Sequence, residues 1–113
     1  MAGIYWNDIK TILQPGVTCM RQVTIGTEEG VFVARLDDYE TVKRLHKVIR
    51  AALNAWRRNA AGDAWLRDSN GRGIPTKAHP MPPPPRGPMA IEDVDAFIAW
   101  VDDGMPEEPP PIA

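Results

Sequence analysis

HPMPPPPRGPMAIEDVDAFIAWVDDGMP, residues His79 to Pro106, is the stretch whose reading decides the fold. Pro80 and the run Pro82 to Pro85 fix their own φ and push each preceding residue into extended geometry, so Met81 is presented from a stiff, non-helical lead-in. Beyond Pro88 the pattern changes. Ile91, Val94, Phe97, Ile98 and Val101 recur at three- and four-residue spacing, which predicts a helix of about three turns with one apolar stripe. Gly104, followed by Met105 and Pro106, is the expected chemistry of its C-terminus.

Working outward toward the N-terminus, Asp37 and Glu40 have the spacing of a capping box and precede Val42, Leu45, Ile49, Leu53 and Trp56, the apolar face of a helix expected from about Asp38 to Asn59. Asp63 is placed to cap a further short turn or helix carrying Trp65 and Leu66, which Asn70-Gly71 and Gly73 would end. Between Ile4 and Gln14, the residues Trp6, Ile9, Ile12 and Leu13 predict a short first helix, capped at Asn7 or Asn7-Asp8 and ended by Pro15-Gly16. Val17 to Arg35 has no helical period. There Val23-Thr24-Ile25 and Val31-Phe32-Val33 flank Gly26 to Gly30, which reads as a small hairpin or a wide loop. The resulting expectation is an all-α domain with long loops over residues 1–106. A Pro-rich, acidic tail over 107–113 is expected to be extended and flexible.

At 113 residues, 43% hydrophobic and 25% charged, the chain suits one domain with a modest core. No apolar run reaches membrane-spanning length, and MAGIYWNDIK lacks the basic and apolar regions of a secretory signal, so a cytoplasmic location is expected. The single Cys19 allows no internal disulfide and agrees with a reducing compartment. The net charge of −2 conceals an asymmetry. Eight cations lie between Thr41 and Arg72, and seven carboxylates with no Lys or Arg follow Ile91. No aromatic residues interleave with the cations in a stacking pattern, so nucleic acid is not expected as a partner.

A Met-Pro loop, an acidic-capped helix containing Trp100 and the ending Gly104-Met105-Pro106 together resemble the small class I cytochrome c domains of bacteria. The resemblance covers most of the chain and implies a cytochrome c-like small helical domain. In that family the first helix is followed by Cys-x-x-Cys-His, which attaches haem and ligates iron. Here, with Cys19 at the second Cys position, Gly16 stands at the first and Met20 replaces the ligand His. Met81 matches the family's second axial ligand. Gly16, Cys19, Met20 and Met81 are thus remnant haem-site positions, and the resemblance implies a haem-free descendant in which Met81 fills vacated volume, as an adaptable thioether does.

No triad, phosphate-cradling glycine loop, zinc signature or poised carboxylate pair is recognisable, so neither an enzyme nor a metal site is expected. The leading expectation is a haem-free accessory or protein-interaction domain, with Met81, Pro82, Pro83, Pro84, Arg44 and Lys47 as partner-binding candidates. Polyproline geometry costs little ordering entropy on binding, and cations steer an acidic partner. The alternatives are a small electron carrier holding haem or metal noncovalently, and a small-molecule binder using the vacated pocket.

Overall fold

A computed structural model describes residues 3–20, 23–76, 80–82 and 87–109, and for residues 18–20 the backbone alone. Its elements are α1 (Trp6–Met20), β1 (Thr24–Thr27), β2 (Gly30–Val33), α2 (Tyr39–Leu53) and α3 (Ile91–Asp102). The all-α expectation is therefore corrected: among the described residues, three helices accompany a two-stranded antiparallel sheet. The β-branched residues around Gly26 to Gly30 lack a helical stripe, so pairing with each other is how their backbone groups are satisfied. Among the described residues, no helix is long and apolar enough to cross a membrane. Within the expected domain, the chain divides into two compact units, Met1–His46 with Ala96–Ala113, and Lys47–Asp95. The tail expectation falls partly on residues 110–113, outside the described residues.

In the first unit, α1 begins two residues before the start that a cap at Asn7 implies, and ends later than expected. Its cap is Tyr5, not Asn7: the Asp8 carboxylate accepts the Tyr5 N–H at 3.0 Å, the returning half of a capping box. The Trp6 N–H, an orphan donor of the first turn, is taken up by the carbonyls of Pro106 and Glu107 at 3.2 and 3.3 Å, which ties the two ends of the unit together. Pro15 lies inside the helix rather than ending it. Both Pro15 and Thr11, the residue one turn back, are exposed, so the carbonyl that the prolyl ring cannot serve is open to hydration.

The hairpin takes the register Thr24↔Val33, Ile25↔Phe32, Gly26↔Val31 and Thr27↔Gly30, with Glu28 and Glu29 as its turn. Thr27 closes that turn, its hydroxyl donating to Gly30 O at 3.0 Å and accepting the Glu29 N–H at 3.2 Å. The core of this unit is Ile9, Leu13, Ala34, Leu36, Val42, Leu45, Phe97 and Trp100, all at 1% exposure or less. Ile98 and Val101, expected in the α3 stripe, are only half-buried. Their place in the core goes to Trp100, whose ring lies 6.1 Å from Trp6, 6.4 Å from Tyr39 and 5.8 Å from Phe97. Helix α3 ends where glycine was expected to stop it. Gly104, at φ 91°, lets its N–H reach Val101 O at 3.0 Å while the Met105 N–H reaches Trp100 O at 2.8 Å, the two bonds of a Schellman motif. The turned chain then hydrogen-bonds the aromatic cluster: Trp100 Nε1 donates to Pro106 O at 2.9 Å and the Tyr39 hydroxyl to Met105 O at 2.8 Å.

The cap of α2 is Asp38, one residue past the expected Asp37. Its carboxylate accepts the Thr41 hydroxyl at 2.7 Å and the Thr41 N–H at 3.0 Å. The Thr41 hydroxyl, and then its backbone N–H, hold the Asp38 carboxyl below the ordinary aspartate range. A carboxyl with a depressed folded-state pKa stabilises above its unfolded value and loses that contribution as pH falls through the folded one. Asp38→Ala is accordingly expected to cost about 1 kcal/mol at neutral pH. In urea titrations the gap to wild type should close as pH drops below about 3.9; a gap that stays constant with pH would show that the carboxylate does not cap the helix.

In the second unit α2 ends at Leu53, well short of the expected Asn59. The following residues are drawn into pairing instead, through the bridges Trp56↔Pro75, Arg58↔Trp65 and Arg67↔Gly73. The Arg57 N–H donates to Ile74 O, the Leu66 N–H to Arg57 O and the Asn59 N–H to Ala64 O, each at 2.8 Å. Trp65 and Leu66, expected in a short turn or helix, take part in this pairing instead. Asn59 Oδ1 accepts from Gly62 N at 2.8 Å and Asp63 N at 3.2 Å. Asp68 Oδ1 accepts from Asn70 N at 2.8 Å and Arg72 N at 3.0 Å. Such side chains offer the backbone turns in place of helix, and the N–H groups of Arg72 and Asn70 hold the Asp68 carboxyl low. Ile49, Leu53, Ala55, Trp56, Met81, Ile91 and Val94 form this unit's core. A Cβ at Gly73 would stand 2.7 Å from Pro88 Cδ and 3.0 Å from the Trp56 ring, so only glycine allows that approach.

Candidate partner-binding surface

Cations that the sequence presents as one basic group are divided by the structure into those used internally and those left over. Arg58 is used. Its guanidinium donates to Gly62 O at 3.0 Å, to Asp95 Oδ1 at 2.8 Å and to Asn54 Oδ1 at 3.4 Å. It also lies over the Trp65 ring at 5.0 Å, and Trp65 Nε1 in turn donates to Met89 O at 2.7 Å. This is a fastening within the second unit, with its charge compensated.

Lys43 and Arg44 are different. Both are exposed on α2, on the side away from Val42 and Leu45, which are buried at 0% and 1% exposure. The Lys43 ammonium lies 5.7 Å from the centre of the Tyr39 ring, and the Arg44 guanidinium 5.2 Å from that of Phe32. Each ring face attracts its cation and restrains it. Arg35 pairs with Asp37 and Arg58 with Asp95, whereas neither Lys43 nor Arg44 forms an ion pair with a carboxylate among the described residues. The result is a pair of adjacent, oriented positive charges outside any ion pair among the described residues, with exposed Glu40 one turn earlier on the same helix. Tyr39 was detectable in sequence as the i−4 neighbour of Lys43, whereas Phe32 comes from the hairpin and only tertiary structure places it under Arg44.

The other predicted positions are distributed as follows. Lys47 is exposed, in the second unit. Met81 is buried at 5% exposure with its N–H donating to Ala52 O at 3.0 Å, so its side chain is corrected from a partner contact to a core residue. Pro82 is half-buried, and Pro83 and Pro84 lie outside the described residues, as does His79. Gly16 is half-buried within α1, and Cys19 and Met20 continue that helix; their side chains lie outside the described residues. These three fall in the first unit and Met81 in the second. Gly16 carries no thiol and Met20 no imidazole, so this donor set does not fit a covalently attached, His-ligated haem.

Among the described residues, no three of His, Cys, Asp and Glu gather in a way that could hold a metal ion. A depression of about 510 Å³ on α1, lined by Asn7, Lys10, Thr11, Gln14 and Pro15, has none of the aromatic side chains typical of a small-molecule site. Comparison with protein-family models, curated proteins and solved structures finds no match to this chain.

Proposed function

We propose that this chain is a haem-free protein-interaction module, cytoplasmic, which docks an acidic segment of a partner protein on Lys43 and Arg44. The carrying observation is the pair of exposed cations, each set against an aromatic ring and without a carboxylate among the described residues. A restrained cation loses less side-chain entropy on binding, and one outside an ion pair is available to attract an acidic partner. Kinship with class I cytochrome c belongs to the same reading as a relation of sequence, carried by Met81-Pro82 and by Trp100 to Pro106, and not as an all-α fold.

Titration of the purified chain with a fluorescent oligo-glutamate peptide tests this. Binding is expected to weaken with salt, and Lys43→Glu with Arg44→Glu is expected to reduce affinity by at least about tenfold, since like charges meeting at an interface are strongly unfavourable. Equal binding by wild type and variant would remove the α2 cations from the interface. A Soret band in the purified wild-type protein would favour the electron carrier instead.

A further inference from the structure

Val31, at 71% exposure, and Val33, at 43%, are the most exposed large apolar side chains among the described residues. Their partners in the hairpin are Gly26 and Thr24, so both valines lie on one face of the sheet and Phe32 on the other. The bond from Ala34 N–H to Val23 O at 2.8 Å sets the alternation of the ladder. Counting back along β2, Phe32 is hydrogen-bonded to β1, and Val31 and Val33 turn their backbone groups to the outer edge. Among the described residues the N–H groups of Val31 and Val33 have no acceptor. The edge closes on either side of them, since the Glu29 N–H is taken up by Thr27 Oγ1 at 3.2 Å and the Arg35 N–H turns back on Val33 O at 2.8 Å. The open template is thus the three residues Val31 to Val33.

The Phe32 face of this edge carries a cation. The Arg44 guanidinium lies 5.2 Å from the centre of the Phe32 ring, and both residues belong to the first unit. A strand laid antiparallel along the edge, the more stable of the two directions, sends alternate side chains to the two faces. Its residue opposite Phe32 stands in a pair without mutual hydrogen bonds, the kind in which side chains come closest, and on the face where Arg44 lies. The residues before and after it stand beside Val31 and Val33. We infer that the partner's segment docks as a strand added to β2, with an acidic residue opposite Phe32 that meets Arg44 and an apolar residue on each side of it against Val31 and Val33. The inference rests on the acidic-partner reading and specifies the segment that is taken. Glu40, one turn before Arg44, and Glu28 and Glu29 in the hairpin turn are exposed, so a run of acidic residues meets like charges there. One acid between two apolar residues suits the edge better than a polyanion does.

Fluorescent peptides carrying Val-Glu-Val between Ser-Gly flanks, titrated into the full chain beside oligo-glutamate, test this, and amide hydrogen exchange locates the contact. The Val-Glu-Val peptide is expected to bind more tightly than oligo-glutamate and to slow exchange at Val31 and Val33. N-methylation of its two valines, whose N–H groups face β2, should weaken binding at least about tenfold, whereas N-methylation of its glutamate, whose N–H faces away, should leave it unchanged. Replacing that glutamate by glutamine should cost about threefold with wild type and nothing with Arg44→Gln, whose fold circular dichroism checks. Val31 and Val33 amides that exchange as fast with the peptide as without it overturn the inference. So does an N-methylated glutamate that weakens binding as much as the N-methylated valines, or a preference for glutamate that survives Arg44→Gln. In each of those cases, oligo-glutamate binding that still responds to Lys43→Glu with Arg44→Glu leaves the acidic-partner reading standing. A chain that binds neither peptide at millimolar concentration overturns both.

Discussion

Trp100→Ala is expected to lower the stability of the fold by about 3–5 kcal/mol, the range for emptying a buried aromatic site. Trp100 is at 0% exposure, and its ring is shared by Trp6, Tyr39 and Phe97, so its removal leaves a cavity against three other rings. It also serves the C-terminal chain through the bond from Nε1 to Pro106 O at 2.9 Å. Trp100→Phe keeps most of the ring but deletes that donor, and about 1–2 kcal/mol is expected from the lost bond together with the smaller volume. Urea unfolding followed by far-ultraviolet circular dichroism measures both. An alanine variant within about 1 kcal/mol of wild type would contradict the burial of Trp100, since a fully buried large side chain contributes more than that.

Trp56 in the second unit is predicted to behave differently, although it is also buried, at 3% exposure. Trp56→Ala should again cost about 3–5 kcal/mol, because the ring fills the space beside Gly73 and no side chain replaces it. The phenylalanine variant separates the two tryptophans. Trp56 Nε1 is buried and has no hydrogen-bond acceptor among the described residues, and an unsatisfied buried donor carries a penalty of about 1–3 kcal/mol. Removing it offsets the loss of ring volume, so Trp56→Phe is expected to fall within about 1 kcal/mol of wild type and to cost less than Trp100→Phe. The same unfolding experiment gives the comparison. A Trp56→Phe variant less stable than Trp100→Phe would mean that the Trp56 indole N–H is satisfied in solution.

Local chemistry made much of the fold readable, and long-range pairing hid the rest. Val42, Leu45, Ile49 and Leu53 are all buried as their spacing required, because a helical stripe and a core face are the same pattern. Helix α2 nevertheless stops at Leu53. Nothing in Ala55 to Asn59 forbids helix, but these residues pair with partners such as Trp65 and Pro75, and such contacts override a weak intrinsic propensity. Pro15 shows the reverse error, since a local breaker signal was outweighed where the surface permits a proline inside α1.

For the candidate surface, the residue types were visible but not their states. Lys43, Arg44 and Arg58 are equivalent in sequence; the structure compensates Arg58 with Asp95 and leaves Lys43 and Arg44 against aromatic rings. By itself the sequence determined the apolar stripe of α2 and the glycine stop after α3, because periodicity and backbone conformation are properties of short segments. Only the tertiary structure decided between a hairpin and a wide loop near Gly26 to Gly30, between the volume-filling and the partner-contact readings of Met81, and which cations remain outside ion pairs. Those depend on residues far apart in sequence competing for the same hydrogen bonds, charges and buried volume.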